Sequence, residues 1–286
     1  MVNKILSHDD QALDAFKELL SRYTKGYEMR GMPYWVYLDE SGPVGLVAVG
    51  MEPLQLFAPV GTRLSVIRIL DYEDKETVRD LAEKALKISK KNAVDYASTN
   101  IPSRYSDVIS YFIDLGFVLL SETYRMASPL DEMHELSSDL RFERLAREDI
   151  PEFLELMKRF MSGSPDNVLN MVLENLLNIS DDFLDVWYKM ESLYIAYQEE
   201  EPVGILDVNN KEGIIGNIGV SPSFRGKGYG KQIMLFGMKN LQEGGNKQAR
   251  LRVHIDNEPA ISLYEGLGFN ITDQLSTLIW EKESKE

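Results

Sequence analysis

Residues 220–230, VSPSFRGKGYG, place three glycines within five positions and flank them with Arg225 and Lys227. An apolar run, IIGNIGV (214–220), precedes them, and a helix-like pattern, QIMLFGM (232–238), follows. Strand, glycine-rich turn, then helix can aim several main-chain N–H groups at one anion, because the free amides and the positive end of the helix dipole converge there. Glycine lets a ligand approach and permits positive φ. Arginine can meet a phosphate with two parallel hydrogen bonds. The competing reading is a purely structural turn. Spacing removes two familiar phosphate loops. GxxxxGK[ST] fails because Lys231 is followed by Gln232, and GxGxxG, counted from Gly226 and Gly228, meets Lys231 where its third glycine should stand. What fits is V-x-P (Val220, Pro222) followed by R-x-x-G-x-G from Arg225 to Gly230.

The elements that must carry this turn recur in the chain. YWVYLDESGPVGLVAVG (34–50) and LYIAYQEEEPVGILDVN (193–209) both read as strand, polar turn, Pro-Val-Gly, strand, and Trp35 to Gly45 aligns with Tyr194 to Gly204 without a gap. DVISYFIDLGFVLL (107–120) and PAISLYEGLGFNIT (259–272) both read as a short amphipathic helix ending at Leu-Gly-Phe, then a strand, with Gly116 and Gly268 where a helix end needs positive φ. Two signatures in one order predict two copies of one domain. The polar stretch DEMHELSSD (131–139) is the expected linker, so the division is 1–130, 131–139 and 140–286. In the later copy LRFERL (140–145) reads as a first strand. AREDIPEFLELMKRF reads as the helix after it, with Asp149 one possible N-cap and Pro151 early in the helix. NVLNMVLENLLNI and DDFLDVWYKM give further helical period. The copies part where chemistry would sit. After TRLSVIRIL the first runs DYEDKETVRDLAEKALKISKK, an acidic turn without glycine that would repel an anion.

Bulk composition narrows the field. The 286 residues exceed the usual single-domain size, and 44% apolar with 27% charged residues describes a chain able to bury a core. No cysteine occurs, which excludes disulfides, thiolate metal sites and a cysteine nucleophile and fits a cytoplasmic setting. Three scattered histidines predict no metal site; His8 and His134 read as solvated. The N-terminus has no signal-peptide pattern, and no apolar run approaches the ~20 residues of a membrane span. With 31 basic and 46 acidic side chains the formal charge is −15, which argues against nucleic acid or an anionic membrane as partner and makes a cationic small molecule or Lys-bearing peptide electrostatically easier.

VSPSFRGKGYGKQIM followed by NEPAISLYEGLGF resembles, in order and spacing, the two signature blocks of the GCN5-related N-acetyltransferase (GNAT) superfamily. The resemblance is strong over 140–286 and partial over 1–130, where the loop is missing. It implies an α/β (α+β) fold of tandem GNAT-like domains, each a mixed, mostly antiparallel twisted sheet flanked by helices, with a degenerate first copy. It implies an acetyl-CoA-dependent N-acetyltransferase acting on a primary amine, small molecule or peptide, by direct attack in a ternary complex. An acyl-CoA-binding sensor or scaffold is the alternative. Acetyl-CoA would be held by Arg225, Gly226, Lys227, Gly228, Tyr229, Gly230 and Lys231 at its diphosphate. Ile218, Gly219 and Val220 would lie along its pantetheine arm, and Asn257 and Ala260 would match the family's N-x-x-A. Tyr264 would be the general acid for the departing thiolate; Phe112 stands in its place in the first copy, and Tyr111 is one residue off.

Amine attack on a thioester needs a neutral nucleophile, a polarised carbonyl and a proton for the thiolate. A main-chain amide can serve the carbonyl and a tyrosine hydroxyl the sulfur. The base is less defined. Ile214 occupies the slot where relatives often carry glutamate; Glu212 is the nearest acid, Asp207 lies on the preceding strand, and Asn217 could hold a relaying water. Asn257 also suits an N-cap. His254 lies opposite Leu251, Val253 and Ile255 in its strand and reads as surface or cleft.

Overall fold

The computed structural model describes residues 4–21, 32–52, 61–72, 74–130, 139–176 and 179–283. Two compact units emerge: residues 1–121 with 275–286, and residues 122–274. This differs from a cut at 131–139, a stretch that lies outside the described residues except for Asp139. The reason is strand pairing, which does not follow chain order: the end of the chain completes the first unit's sheet, and residues 123–129 pair within the second. Among the described residues, no helix is long and apolar enough to cross a membrane.

The first unit orders its strands as β1 (Lys4–Ser7), β2 (Tyr34–Leu38), β3 (Pro43–Glu52), β4 (Leu64–Tyr72), β5 (Tyr96–Pro102) and the end of β12 (Asn270–Glu281). Only β4 and β5 run parallel, from Leu64↔Tyr96 to Ile67↔Thr99. Helices α1 (Lys75–Lys91) and α2 (Ser106–Asp114) pack on the sheet through Val78, Leu81, Ala82, Ala85 and Phe112. Phe112 is fully buried, edge-on to Phe117 with centroids 5.0 Å apart. Asp74 caps α1, its carboxylate accepting the Thr77 N–H at 2.8 Å.

The second unit orders β6 (Val118–Pro129), β11 (Gln248–His254), β10 (Ile214–Val220), β9 (Glu201–Asn209), β8 (Ser192–Gln198) and β7 (Arg141–Arg144). On one face lie α3 (Ile150–Met161), α4 (Asn167–Asn175) and α5 (Asp181–Met190). Ile150, Phe153, Leu154, Met157 and Phe160 recur at helical spacing and bury against Leu193, Ile195 and Ile205. Pro151 sits in the first turn of α3, but Asp149 makes no capping hydrogen bond: its backbone is already near-helical, so its side chain is not aimed back at the helix start. The other face is covered by α6 (Tyr229–Glu243) and α7 (Glu258–Glu265), with Ile233, Met234, Met238 and Leu241 on Leu206, Val208, Ile215, Leu251 and Val253. Each such side chain contributes on the order of 1.5–3 kcal/mol on burial. Both sheets are mixed and mostly antiparallel, both hairpins form where the repeated Pro-Val-Gly stands, and Gly116 and Gly268 have φ of 90° and 85°.

Gly204, of the second Pro-Val-Gly, pairs with Val220. A Cβ there would lie 2.2 Å from Ile233 Cδ1 and 3.1 Å from the Gly219 carbonyl oxygen. Gly204→Ala therefore forces the Ile233 side chain to repack in a closed core or displaces the end of β10. Chemical denaturation should show a loss of about 1–3 kcal/mol; an unchanged midpoint would mean that this contact is slack.

Candidate active site

Strands β10 and β11 are parallel neighbours joined at one register pair, Ile214↔Arg250, with the Arg250 N–H on the Gly213 carbonyl at 2.9 Å. Beyond it they separate. The cause lies in β10, whose pairing with β9 slips between Ile215 and Ile218. The bulged residues turn to Asp207 of β9: its Oδ1 accepts the Asn217 N–H at 2.8 Å and its Oδ2 the Asn217 side-chain amide at 2.6 Å. A Cβ on Gly216 would fall 1.7 Å from that Oδ1, so glycine alone fits. Bulges sharpen local twist and re-aim a strand.

A cavity of about 780 Å³ occupies the second unit beside the splayed strand. Ile218, Gly219 and Val220 form one wall, Asn257, Ala260 and Tyr264 another, and Phe160 to Pro165 a third. Arg225, Gly226, Gly228, Gly230 and Lys231 line it too. Gly226 and Gly228 have φ of 75° and 85°, and a Cβ on either would meet nothing within 4 Å. Gly228 is the N-cap of α6 and offers no side chain to its amides. Among the described residues, the N–H groups of 226–230 have no acceptor. The turn thus holds open amides around free space, an arrangement suited to an anion.

Other expected residues fall differently. Lys227 and Tyr229 do not line the cavity: Lys227 lies over the Phe224 ring at 4.7 Å, and the Tyr229 hydroxyl donates to Gln198 Oε1 at 2.6 Å. The Arg225 guanidinium is engaged with main chain, donating to the Val220 carbonyl at 3.2 Å and the Phe160 carbonyl at 2.7 Å. It ties the turn to the end of α3 while also lining the cavity. Asn257 caps α7 through the Ala260 N–H at 3.4 Å and also lines the cavity. Glu212 lies apart from these residues. It is exposed in the turn before β10, outside the cavity, where its carbonyl accepts from Arg250 and its N–H donates to Asn209 Oδ1 at 2.9 Å.

Tyr264 is 5% exposed, and its ring lies 6.1 Å from that of Phe269. Burial alone pushes its hydroxyl well above the ordinary tyrosine value, with no hydrogen bond or charge contributing. That hydroxyl stays protonated at any working pH, and Tyr264 lines the cavity.

Asp207 is 2% exposed and carries the other displaced proton affinity. Burial raises it most, Glu191 adds to the rise, and the Asn217 and Gly216 donors pull it back; the result is about 7. Glu191 is itself raised by burial, against the Asn209 amide that donates to it at 2.9 Å. Below pH ~4 the Asp207 carboxyl is protonated in both folded and unfolded chains; between there and about 7 the unfolded chain releases a proton that the folded one keeps. Wild-type stability therefore falls across that window, and an asparagine has no such slope. Urea midpoints of Asp207→Asn relative to wild type should shift in favour of the variant from pH 4 to 7 and level off above; a flat difference would place the titration elsewhere.

Residues 166–269 match the model of the acetyltransferase (GNAT) family. Mycothiol acetyltransferase of Corynebacterium glutamicum (strain R) is 31% identical over 99 residues, 34% of this chain and 33% of that protein. That of Streptomyces avermitilis is 32% identical over 96 residues, 32% of this chain and 31% of that protein. The chain thus spans about a third of the length of the curated relatives it matches. In fold it is similar to a GCN5-related N-acetyltransferase from Sphaerobacter thermophilus (TM-score 0.67, 13% identity, 97% of this chain and 95% of that one). It is also similar to a tandem GNAT protein from the clavulanic acid biosynthesis pathway (TM-score 0.60, 12% identity, 99% of this chain and all of that one). The match to the acetyltransferase (GNAT) family thus lies in the later region, which carries the open glycine turn and the splayed strand.

Proposed function

We propose that the protein is an acetyl-CoA-dependent N-acetyltransferase whose second unit is catalytic and whose first unit is a degenerate copy. The observation that carries this is the run of amides at 226–230, unpartnered among the described residues, beside the cavity that Tyr264 also lines. Acetyl-CoA supplies an activated acyl group: a carbon–nitrogen bond forms as the carbon–sulfur bond breaks, the acceptor nitrogen releases a proton and the sulfur takes one. In this reading the turn amides grip the diphosphate and the edge of Ile218 to Val220 aligns the pantetheine arm. A β10 amide polarises the carbonyl. Tyr264 delivers the proton to sulfur. Asp207, with a value near 7, is the buried carboxyl matched to receiving the acceptor's proton through water beside Asn217.

The first unit differs at three points. Its β4 and β5 stay paired through four registers, the Asp74 carboxylate already occupies the amides at the start of α1, and Phe112 offers no hydroxyl. The curated relatives' name raises mycothiol-type acceptors for comparison, but the identity covers only about a third of each chain and carries no acceptor assignment.

Calorimetry with acetyl-CoA, CoA and ATP, followed by assays of thiol release over an amine panel, tests the reading. Acetyl-CoA should bind well ahead of ATP, and Gly228→Ala, strained at positive φ, should weaken it about tenfold or more. Tyr264→Phe should keep CoA affinity and slow transfer on the order of 10²-fold. Equal affinity for ATP would sink the transferase, and unchanged output from Tyr264→Phe would favour a sensor or scaffold.

A further inference from the structure

One pair of side chains breaks a rule that the rest of the second sheet keeps. On β11, Ala249, Leu251 and Val253 join the core under α6 and α7, so Arg250, Arg252 and His254 face the other way. On β6, Tyr124 and Met126 belong to that same core, so Thr123 and Arg125 share the face of Arg252. The register sets Arg252 directly opposite Arg125. Like charges so placed destabilise an antiparallel ladder.

No salt bridge among the described residues reaches either guanidinium. Arg252 donates to Thr123 Oγ1 at 3.0 Å. Neither guanidinium is ion-paired, and the Arg125 side chain has no hydrogen-bond partner among the described residues. Surrounding protein first and Arg125 second push Arg252 below the ordinary arginine value, and Asp166 offsets only part. The Asp166 carboxylate is itself used to cap α4 at the Val168 N–H, 2.9 Å away. Both arginines nevertheless remain open to solvent along one side. In a chain with 46 acids against 31 bases, the missing carboxylate is not a matter of supply.

Their position is informative. On β11, Arg252 and His254 lie two and four residues beyond Arg250, the one residue registered with β10. The arginine pair therefore sits where β11 has separated from β10, the strand whose end walls the cavity. His254 is mostly buried, its Nδ1 accepting the Asp256 N–H at 3.2 Å.

We propose that Arg125 and Arg252 dock an anionic group, carboxylate or phosphate, carried by the acceptor amine. The word acceptor rests on the transferase reading; the anion rests on the arginines alone. The acceptor class is then amines with an acidic group a few bonds away, such as amino acids, peptide carboxyl ends or aminoalkyl phosphates, and polyamines are disfavoured. Net charge pointed towards cationic acceptors, but the field at this site has the opposite sign.

The test is calorimetry on the full chain saturated with CoA. The probes are β-alanine and aminoethyl phosphate, their counterparts β-alaninamide and ethanolamine, and putrescine. The two anionic amines should bind at least about tenfold more tightly than the others, and whichever of the two binds tighter names the carboxylate or the phosphate as the natural group. Arg252→Gln and Arg125→Gln should each erase that preference, leave CoA affinity within about twofold, and leave the melting temperature level or higher because a repulsion is gone. Equal binding of the uncharged counterparts, or a preference that survives both substitutions, overturns the proposal. So does a fall in melting temperature with the preference intact, which would make the arginines structural. Should CoA itself fail to bind, the transferase reading falls, and the same titration without it still decides whether the arginines hold an anion.

Discussion

The second unit depends on two strands failing to stay paired. Parallel neighbours normally satisfy each other's main chain over their whole length, and β10 and β11 do so at one register only. A strand can leave its neighbour only if the orphaned N–H groups find acceptors, since an unpaired buried amide costs about as much as a lost hydrogen bond. Asp207 supplies that acceptor for Asn217, and Gly216 makes room for it. A carboxylate in the interior is itself costly, and its raised proton affinity is the visible form of that cost. The buried acid and the open cleft are therefore one feature: without the acid the bulge has no partner, and without the bulge the strands close.

The two units show what the same plan does under different local chemistry. Both place a helix start after a strand of the parallel pair. In the first, Asp74 turns its carboxylate onto the Thr77 amide, so the helix caps itself. In the second, Gly228 leaves the corresponding amides bare. A self-capped helix is more stable and has no use for an anion; a bare one waits for a ligand to do the capping. At the helix start the difference amounts to one short side chain at one position, and it leaves the first unit's core, built on Phe112 and Phe117, packed.

Much of this was legible because it is local. Glycine spacing at 226–230, the helix end at Gly268 and the tyrosine four residues before it lie within short stretches whose conformation is set by nearby residues. Both Pro-Val-Gly hairpins were legible for the same reason. What was not legible needed partners distant in sequence. Arg225 beside three glycines reads as a phosphate ligand, and nothing local announces that the Phe160 carbonyl, 65 residues away, accepts from its guanidinium. Glu212 is closest in sequence to the missing base, but it sits on the wrong side of the Ile214 pairing, in solvent. Asp207 could be named only as an option, because a one-residue slip in β10 decides what it faces. The strand exchange that sets the unit boundaries has no local signature, since any apolar strand can complete any edge.

The Arg125–Arg252 pair is the extreme case. The two residues are 127 positions apart, and each, read alone, is an ordinary polar face residue on an alternating strand. Only the register makes them neighbours, and only their shared lack of a carboxylate makes them an anomaly. Bulk charge misleads here because a field is local. At physiological ionic strength a charge is screened over about 8 Å, so acids elsewhere on the chain do little at the splay. An acidic chain that keeps two unpaired arginines opposite one another is carrying a repulsion in its resting state, and a repulsion of that kind is relieved by whatever anion arrives between them.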